Sequence, residues 1–317
     1  MLGQSIGRYH ITEQLGEGGM ATVYKAYDTQ LERDVAIKFI RDEKLSSKQS
    51  GTFIKRFKRE IQALIKLSHP NILTVLDYGE HEGQLYLVTE FMPGGTLKEK
   101  LGKPTPPSEA ASLLLPIARA LDFAHSQGII HRDIKPANIL ISKSNLPILS
   151  DFGIAKLLEG EEATELTNAG VGIGTPEYMS PEQAEGKADH RSDIYALGIV
   201  LYELVTGRKP YKADTPFAVL LKHVKDPLPP PKQFVPNLSR NVERALFKAL
   251  AKKPEDRYPN MGEFAKVLER LSQASSEPRH IQIPKQAWIA SGVGAIVLIA
   301  IIALAISWTQ IQALLAN

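Results

Sequence analysis

The feature that most constrains this chain is a polar stretch at residues 131–138, HRDIKPAN, followed at residues 151–153 by the triplet DFG. An acid, a lysine two positions later and an asparagine three further can converge on one point only where the backbone is irregular. Pro136 excludes the interior of a helix, so the stretch is predicted to form an exposed loop. Each residue alone is most simply a turn former or a solvated charge, but the joint spacing indicates a catalytic loop.

The side chains of this loop suit the transfer of a phosphoryl group. Asp133 can take the proton of an attacking hydroxyl, and Lys135 can neutralise the moving phosphate. Asn138 and Asp151 offer the hard oxygen ligands that Mg²⁺ prefers. The spacing therefore predicts phosphoryl transfer as the chemistry of the chain.

The pattern H-R-D-x-K-x-x-N with D-F-G resembles the catalytic segment of the eukaryotic-type (Hanks-type) Ser/Thr protein kinases, closest to their bacterial branch. The resemblance covers about residues 9–271. It implies an α+β, bilobal fold, with a small β-rich N-lobe that carries one main helix and a larger helical C-lobe. It implies ATP with Mg²⁺ (or Mn²⁺) as cofactors and proteins as substrates. Because Lys135 lies two positions after Asp133, the implied acceptors are Ser and Thr hydroxyls.

A glycine-rich turn at residues 16–19 is predicted to hold phosphate groups. Alternating residues on both sides predict a hairpin, and glycines let backbone N–H groups approach phosphate oxygens. An ordinary hairpin is the alternative, but the turn precedes the segment V-A-I-K, which resembles the kinase strand whose lysine, here Lys38, grips the α- and β-phosphates. Ala21 stands where the family has its third loop glycine.

By the same resemblance, residues 90–95 form a hinge whose backbone contacts adenine, and apolar side chains enclose the ring. The residues that the resemblance implies in ATP binding are Leu15, Gly16, Glu17, Gly18, Gly19, Met20, Ala21, Thr22, Val23, Ala36, Lys38, Glu90, Met92 and Leu140.

A helical pattern runs from Phe53 to Leu67, with apolar residues on one face. Glu60 lies off that face, among basic neighbours, and is either one more solvated charge or, by resemblance, the acid that pairs with Lys38 in an active kinase. We predict the pairing. The expected catalytic residues are then Asp133, Lys135, Lys38 and Glu60, with Asn138 and Asp151 as metal ligands.

Residues 151–182 form a long stretch with little periodicity, which is typical of a functional segment. It resembles a kinase activation segment, with Ser-Pro-Glu where the family more often has Ala-Pro-Glu. The resemblance implies a phosphothreonine bound by basic residues, and we expect autophosphorylation at Thr164, Thr167 or both, although these are alternatively ordinary loop residues. The regulatory candidates are Arg132, Lys156, Thr164, Thr167 and Thr175, and the architectural candidates are Glu182, Asp193 and Arg257.

The composition changes after residue 273. Residues 274–286 are rich in Ser, Gln and Pro and indicate a linker. Residues 287–308 carry no charge over 22 positions, which as a helix spans about 33 Å and matches a bilayer core of about 30 Å. Trp288 and Trp308 lie where interfacial aromatic residues are common. A buried soluble helix is the alternative, but we predict a transmembrane helix.

Basic residues before this segment and an uncharged tail after it predict that the kinase domain is cytoplasmic and the protein a single-pass protein of the cell membrane. The predicted domains are a kinase domain at 1–273 (N-lobe about 1–89, hinge 90–95, C-lobe 96–273), a juxtamembrane linker at 274–286, a transmembrane helix at 287–308 and a short extracytoplasmic tail at 309–317.

The charge and cysteine content narrow the other classes of function. The 38 basic and 35 acidic residues are interspersed, so no basic stripe argues for nucleic acid as a partner. Cysteine is absent, which excludes disulfides, thiolate metal sites and a cysteine nucleophile and fits a reducing compartment.

Two alternatives to an active protein kinase remain open. A membrane-tethered pseudokinase scaffold requires the loss of a catalytic residue, yet all of the implied ones are present. A small-molecule kinase is weaker because residues 175–182 resemble a peptide-docking segment. The expected partners are protein substrates and the membrane, and a homodimer for trans-autophosphorylation is left open.

Overall fold

A computed structural model describes residues 1–18, 21–41, 50–152 and 176–274 of the chain. Several of the predictions fall outside these described residues. They concern Gly19, Met20, Lys156, Thr164, Thr167, Thr175 and the transmembrane helix at 287–308.

The N-lobe is built on an antiparallel sheet. Its strands are β1 (Ser5–Ile6), β2 (Tyr9–Glu17), β3 (Ala21–Asp28), β4 (Arg33–Ile40), β5 (Val75–His81) and β6 (Gln84–Glu90). The order in the sheet is β1-β2-β3-β4-β6-β5. Along β4 the side chains of Val35, Ile37 and Phe39 are buried, whereas Ala36 and Lys38 between them are partly exposed. This alternation packs one face of the sheet and leaves the other available to a ligand.

Helix α1 (Ser50–Ile65) covers part of this sheet. Phe57 and Ile61, four residues apart, lie on the same face of the helix and pack against Leu85 and Leu87 of β6. The predicted helix from Phe53 to Leu67 therefore exists, with both ends shifted by two to three residues towards the N-terminus.

The C-lobe is predominantly helical. Its helices are α2 (Pro107–Ser126), α3 (Pro181–Ala184), α4 (His190–Thr206), α5 (Pro216–Lys225), α6 (Arg240–Ala249) and α7 (Met261–Gln273). Helix α4 is buried continuously from Ser192 to Thr206, as expected for a helix that is apolar on every side. It begins after the N-cap Asp189 and ends at Gly207, whose φ of 72° is the left-handed C-cap conformation that favours glycine.

A second, two-stranded sheet of β7 (Ile139–Ile141) and β8 (Pro147–Leu149) lies between the hinge and the helices. The N–H of Gly94 donates to the carbonyl oxygen of Ile141 at 3.0 Å, and the N–H of Ile141 donates to the carbonyl oxygen of Gly95 at 2.9 Å. These two bonds place the predicted hinge beside Leu140 of β7.

Among the helices within the described ranges, none combines the length and the apolar character that crossing a bilayer requires.

Candidate active site

The loop at 131–138 brings its three polar side chains together. The ammonium of Lys135 lies 2.8 Å from Oδ2 of Asp133, and the amide nitrogen of Asn138 donates to the same oxygen at 3.0 Å. A 3₁₀ turn at Pro136–Asn138 produces this convergence, as the position of the proline suggested. One oxygen of the Asp133 carboxylate thus accepts from both neighbouring side chains, so the three residues form one connected group.

A buried carboxylate from the central helix fixes the start of this loop. Asp193 is fully buried, and its two oxygens accept the backbone N–H groups of His131 and Arg132, each at 2.9 Å. His125 Nε2 donates to the same carboxylate at 2.7 Å. Arg132 has a φ of 66°, an uncommon conformation for a residue with a side chain. The hydrogen bonds to Asp193 hold the loop in this conformation. The architectural role predicted for Asp193 is therefore to fix the backbone of the catalytic loop.

His131 connects the catalytic loop to the second acidic segment. It is buried, and its Nδ1 accepts the N–H of Asp133 at 3.2 Å while its Nε2 donates to the carbonyl oxygen of Ser150 at 2.8 Å. Its ring packs on Phe152, with 4.6 Å between the ring centroids. The position of Asp151 is thereby tied to that of Asp133, although the two lie 18 positions apart in the sequence.

Asp151 pairs directly with the lysine of the N-lobe. Its Oδ1 lies 2.7 Å from Nζ of Lys38. Burial acts to raise the pKa of Asp151, but the charge of Lys38 and the hydrogen bond from its ammonium outweigh burial, and the pKa lies below its ordinary value. The carboxylate is therefore ionised at neutral pH and able to bind a cation.

Glu60 does not form the predicted ion pair with Lys38 in this structure. Its carboxylate instead lies 3.2 Å from the guanidinium of Arg59, and Lys38 is taken by Asp151. The reason is the position of α1, which holds Glu60 over a cavity of about 100 Å³ next to the catalytic loop. This cavity is lined by Glu60, Ala63, Leu64, Gly128, Ile129, Ile130, Arg132 and Phe152.

The strands of the N-lobe place three of the implied ATP residues, Val23, Ala36 and Lys38, on one face of the sheet. In the register of the sheet Val23 lies opposite Lys38, and Ala36 lies opposite Thr89, so these side chains share a side. All four are partly exposed, as is Leu140 on β7. Glu90 and Met92 of the predicted hinge are likewise partly exposed, and Leu15 on β2 is exposed.

The glycine-rich turn is supported from outside the cleft, which the sequence did not indicate. The carboxylate of Glu17 binds the guanidinium of Arg41 and accepts a hydrogen bond from Gln14 at 3.0 Å. Arg41 also donates to the hydroxyl of Thr22 at 3.1 Å. Arg41 thus contacts both strands that flank the turn, β2 through Glu17 and β3 through Thr22. Ala21 is buried at the start of β3, and Gly16 and Gly18 on the other strand are exposed.

The residues present fit a complex of a nucleotide with a divalent cation. Asn138 uses its amide nitrogen towards the backbone and side chain of Asp133, which leaves its amide oxygen as the atom that can bind a metal. With the ionised carboxylate of Asp151 this gives two protein oxygen ligands, the number with which Mg²⁺ is commonly held when phosphates supply others.

Glu182 and Arg257, predicted as architectural partners, form a buried bidentate ion pair. Both guanidinium nitrogens lie 2.7 Å from the carboxylate, which also accepts the hydroxyl of Ser192 at 2.6 Å. The neighbouring Gln183 donates to the carbonyl oxygen of Arg132 at 2.8 Å. The segment after the described 3₁₀ turn Pro176–Tyr178 is therefore attached to the C-lobe core and to the catalytic loop.

Comparison with known proteins agrees with this geometry. The profile of the protein kinase domain matches residues 9–268. The chain is 41% identical over 293 residues to a probable serine/threonine-protein kinase, CE0033, of Corynebacterium efficiens, covering 88% of this chain and 44% of that protein. It is 42% identical over 271 residues to the serine/threonine-protein kinase PknB of Mycobacterium leprae, covering 83% of this chain and 43% of that protein. The chain thus spans less than half of the length of these relatives.

A similar solved structure is the PknI kinase domain of Mycobacterium tuberculosis, with a TM-score of 0.64 and 28% sequence identity, covering 86% of this chain and 98% of that one. This likeness confirms the bilobal α+β fold of the described residues. The relatives that it matches are described as serine/threonine-protein kinases, and the chain itself belongs to the protein kinase family.

Proposed function

We propose that this protein transfers the γ-phosphate of ATP to Ser and Thr hydroxyls of other proteins. The observation that carries the proposal is the convergence of Asp133, Lys135 and Asn138, with the ionised Asp151 tied to the same loop through His131. An acid, a cation and two oxygen ligands around one point are what phosphoryl transfer to a hydroxyl needs.

In the proposed reaction Asp133 accepts the proton of the substrate hydroxyl, since its carboxylate is partly exposed and lies at the centre of the loop. Lys135, 2.8 Å from that carboxylate, is placed to neutralise the charge of the phosphoryl group as it moves. Asn138 and Asp151 would hold Mg²⁺, which would supply positive charge to offset that of the phosphates. Lys38 is expected to hold the α- and β-phosphates.

The ion pairs of Lys38 and Glu60 indicate how the present structure differs from a catalytically active conformation. Lys38 forms an ion pair with Asp151, so the ammonium and the carboxylate neutralise each other instead of binding phosphate and metal. A shift of α1 that brought Glu60 to Lys38 would free Asp151 for the metal. We therefore propose that engagement of Glu60 accompanies activity.

Asp133→Asn tests the proposed function. The substitution removes the proton acceptor but no phosphate ligand, so phosphate transfer from radiolabelled ATP to a generic basic protein should fall by about 100-fold or more, whereas binding of a fluorescent ATP analogue should be nearly unchanged. The matched control is Glu269→Gln, which removes an exposed carboxylate of α7 far from the site. Equal rates for Asp133→Asn and wild type would refute the assigned role. A wild-type chain that binds ATP and transfers nothing would favour the pseudokinase scaffold.

We further propose that residues 287–308 anchor the protein in the cell membrane with the kinase domain in the cytoplasm. The support is the uncharged stretch with its flanking tryptophans and the basic residues that precede it.

A further inference from the structure

A charged cluster next to the catalytic loop is not used by the proposed reaction. It surrounds the 3₁₀ turn Pro176–Tyr178, whose following segment is bonded to the loop by Gln183, at 2.8 Å from the carbonyl oxygen of Arg132. Arg132 directly precedes Asp133. Because this segment is bonded to the catalytic loop, we expect a substrate segment that presents its hydroxyl to Asp133 to pass the turn, where charged groups can select among such segments.

The cluster consists of two carboxylates and one ammonium arranged around an aromatic ring. Nζ of Lys209 lies 2.5 Å from Oε2 of Glu177 and 5.2 Å from the ring centroid of Tyr178. The hydroxyl of Tyr178 donates to the buried carboxylate of Glu203 at 2.6 Å. The side chains of Lys209 and Glu177 are 22% and 32% exposed, so the pair can be reached from solvent.

The electrostatics show that the three charges act on one another. Burial raises the pKa of Glu203, the hydrogen bond from Tyr178 and the charge of Lys209 lower it, and the charge of Glu177 raises it again. The two carboxylates thus repel each other, and Lys209 offsets that repulsion from a position that contacts one of them directly. The two carboxylates form a site that can bind a cation, and the ammonium of Lys209 occupies this site.

We propose that Lys209 is a specificity-determining residue, which occupies an acidic subsite formed by Glu177 and Glu203 and so makes the kinase accept substrate segments without a basic residue at that point. The inference rests on the proposed function. It follows that removal of the ammonium leaves two acids that a lysine or arginine of the substrate can neutralise instead. A purely structural ion pair would affect stability and leave the choice of substrate unchanged.

The test is a positional-scanning library of Ser and Thr peptides, in which each flanking position is fixed in turn as Arg, Lys, Ala or Glu. The full chain should show no preference for a basic residue at the subsite position. Lys209→Ala should gain a preference for Arg or Lys over Ala of about tenfold at one position, which corresponds to about 1.4 kcal/mol. The KM for ATP should not change.

Two matched variants separate this inference from other effects. Lys209→Arg keeps the cation and should retain the wild-type profile, while Lys209→Ala/Glu177→Gln removes one acid and should lose the gained preference. The same profile for Lys209→Ala and wild type would overturn the inference while the proposed function stands. A wild-type chain that phosphorylates no peptide at all contradicts the proposed function and the inference with it.

Discussion

The buried ion pair of Glu182 and Arg257 joins the end of the activation segment to the C-lobe. The Arg257 side chain is completely buried and that of Glu182 is 9% exposed. Burial acts to raise the pKa of Glu182, but the hydrogen bonds from Arg257 and Ser192 outweigh burial and lower it below its ordinary value of 4.5. A carboxylate with a lowered pKa stabilises the fold above its unfolded-state pKa, and that contribution is lost as the pH falls below about 4.5.

Glu182→Gln should therefore lower the free energy of unfolding at pH 7 by about 3–5 kcal/mol, because it leaves the guanidinium of Arg257 buried without its counter-charge. It should also weaken the loss of stability that the wild type shows below pH 4.5. Urea denaturation at several pH values measures both effects. Glu269→Gln, at an exposed pair, is the control and should cost about 1 kcal/mol or less. A pH dependence identical to that of the wild type would argue against a dominant role for Glu182.

At the level of single residues, the sequence predicted which side chains meet but not every contact. The spacing around Asp133 was informative because a short loop joins the residues involved. The partner of Lys38 could not be predicted from spacing, because it depends on the position of α1 relative to the sheet. In the structure Lys38 pairs with Asp151, and Glu60 lines a cavity. The roles of His131 and Arg41 were missed because they act through backbone groups and neighbouring strands that no local spacing indicates.

Among the secondary-structure elements, the central helix α4 shows how closely the core is packed. A Cβ added at Gly198 would lie 3.0 Å from the Cβ of Ala249 and 3.1 Å from Cδ2 of Leu250. The glycine therefore allows α4 to approach α6 and the residue that follows it. Any larger side chain must displace those neighbours.

Gly198→Val should destabilise the protein by about 1–3 kcal/mol, because two further carbon atoms have no room at this contact. Gly198→Ala should change the stability much less, since the better helix propensity of alanine, worth about 1 kcal/mol, offsets its tight fit. Thermal or urea unfolding of both variants decides the point. Equal stability of the valine variant and the wild type would show that the two helices separate without cost.

The activation segment is the element on which regulation is proposed to act. Arg132 lines the cavity beside Glu60, and its backbone is fixed by Asp193. A phosphothreonine on the segment could bind such an arginine through charge-assisted hydrogen bonds. We propose that Thr164, Thr167 or both become phosphorylated by the kinase itself.

The double variant Thr164→Ala/Thr167→Ala should then lose activity by about tenfold or more, the effect of losing about 1.4 kcal/mol of stabilisation. Mass spectrometry should find phosphate on these residues in wild-type protein and none in protein that carries Asp133→Asn. Thr12→Ala, at an exposed β2 hydroxyl that donates to a backbone carbonyl, serves as the control. Unmodified threonines in fully active enzyme would rule out the switch.

The spacing of apolar residues in the sequence locates helices and strands, because an element that buries one face repeats apolar residues with the period of that face. Helix α2 ends at Ser126, and Gly128, with a φ of 75°, follows its C-terminus. The bounds of β5 are harder to predict, since none of its residues is fully buried and their exposure does not alternate.

At the scale of the whole molecule, the proposal of a membrane anchor concerns residues outside the described structure. Full-length protein should sediment with membranes and resist extraction by carbonate, because 22 uncharged residues cost too much free energy to leave a bilayer. A chain that ends at Ser275 should remain in the soluble fraction and retain phosphotransfer. Fractionation followed by immunoblotting measures this, and full-length protein in the soluble fraction without detergent would exclude the anchor.

The carboxylate of Asp193 links catalysis to cooperative unfolding. The loop that carries Asp133 takes its conformation from a residue in the first turn of α4, the helix at the centre of the C-lobe. Competence for reaction is thus a property of the folded lobe and not of the loop by itself. A C-lobe that opens even briefly at this helix loses the conformation of the catalytic loop at the same moment, so a form unfolded at this helix should not transfer phosphate.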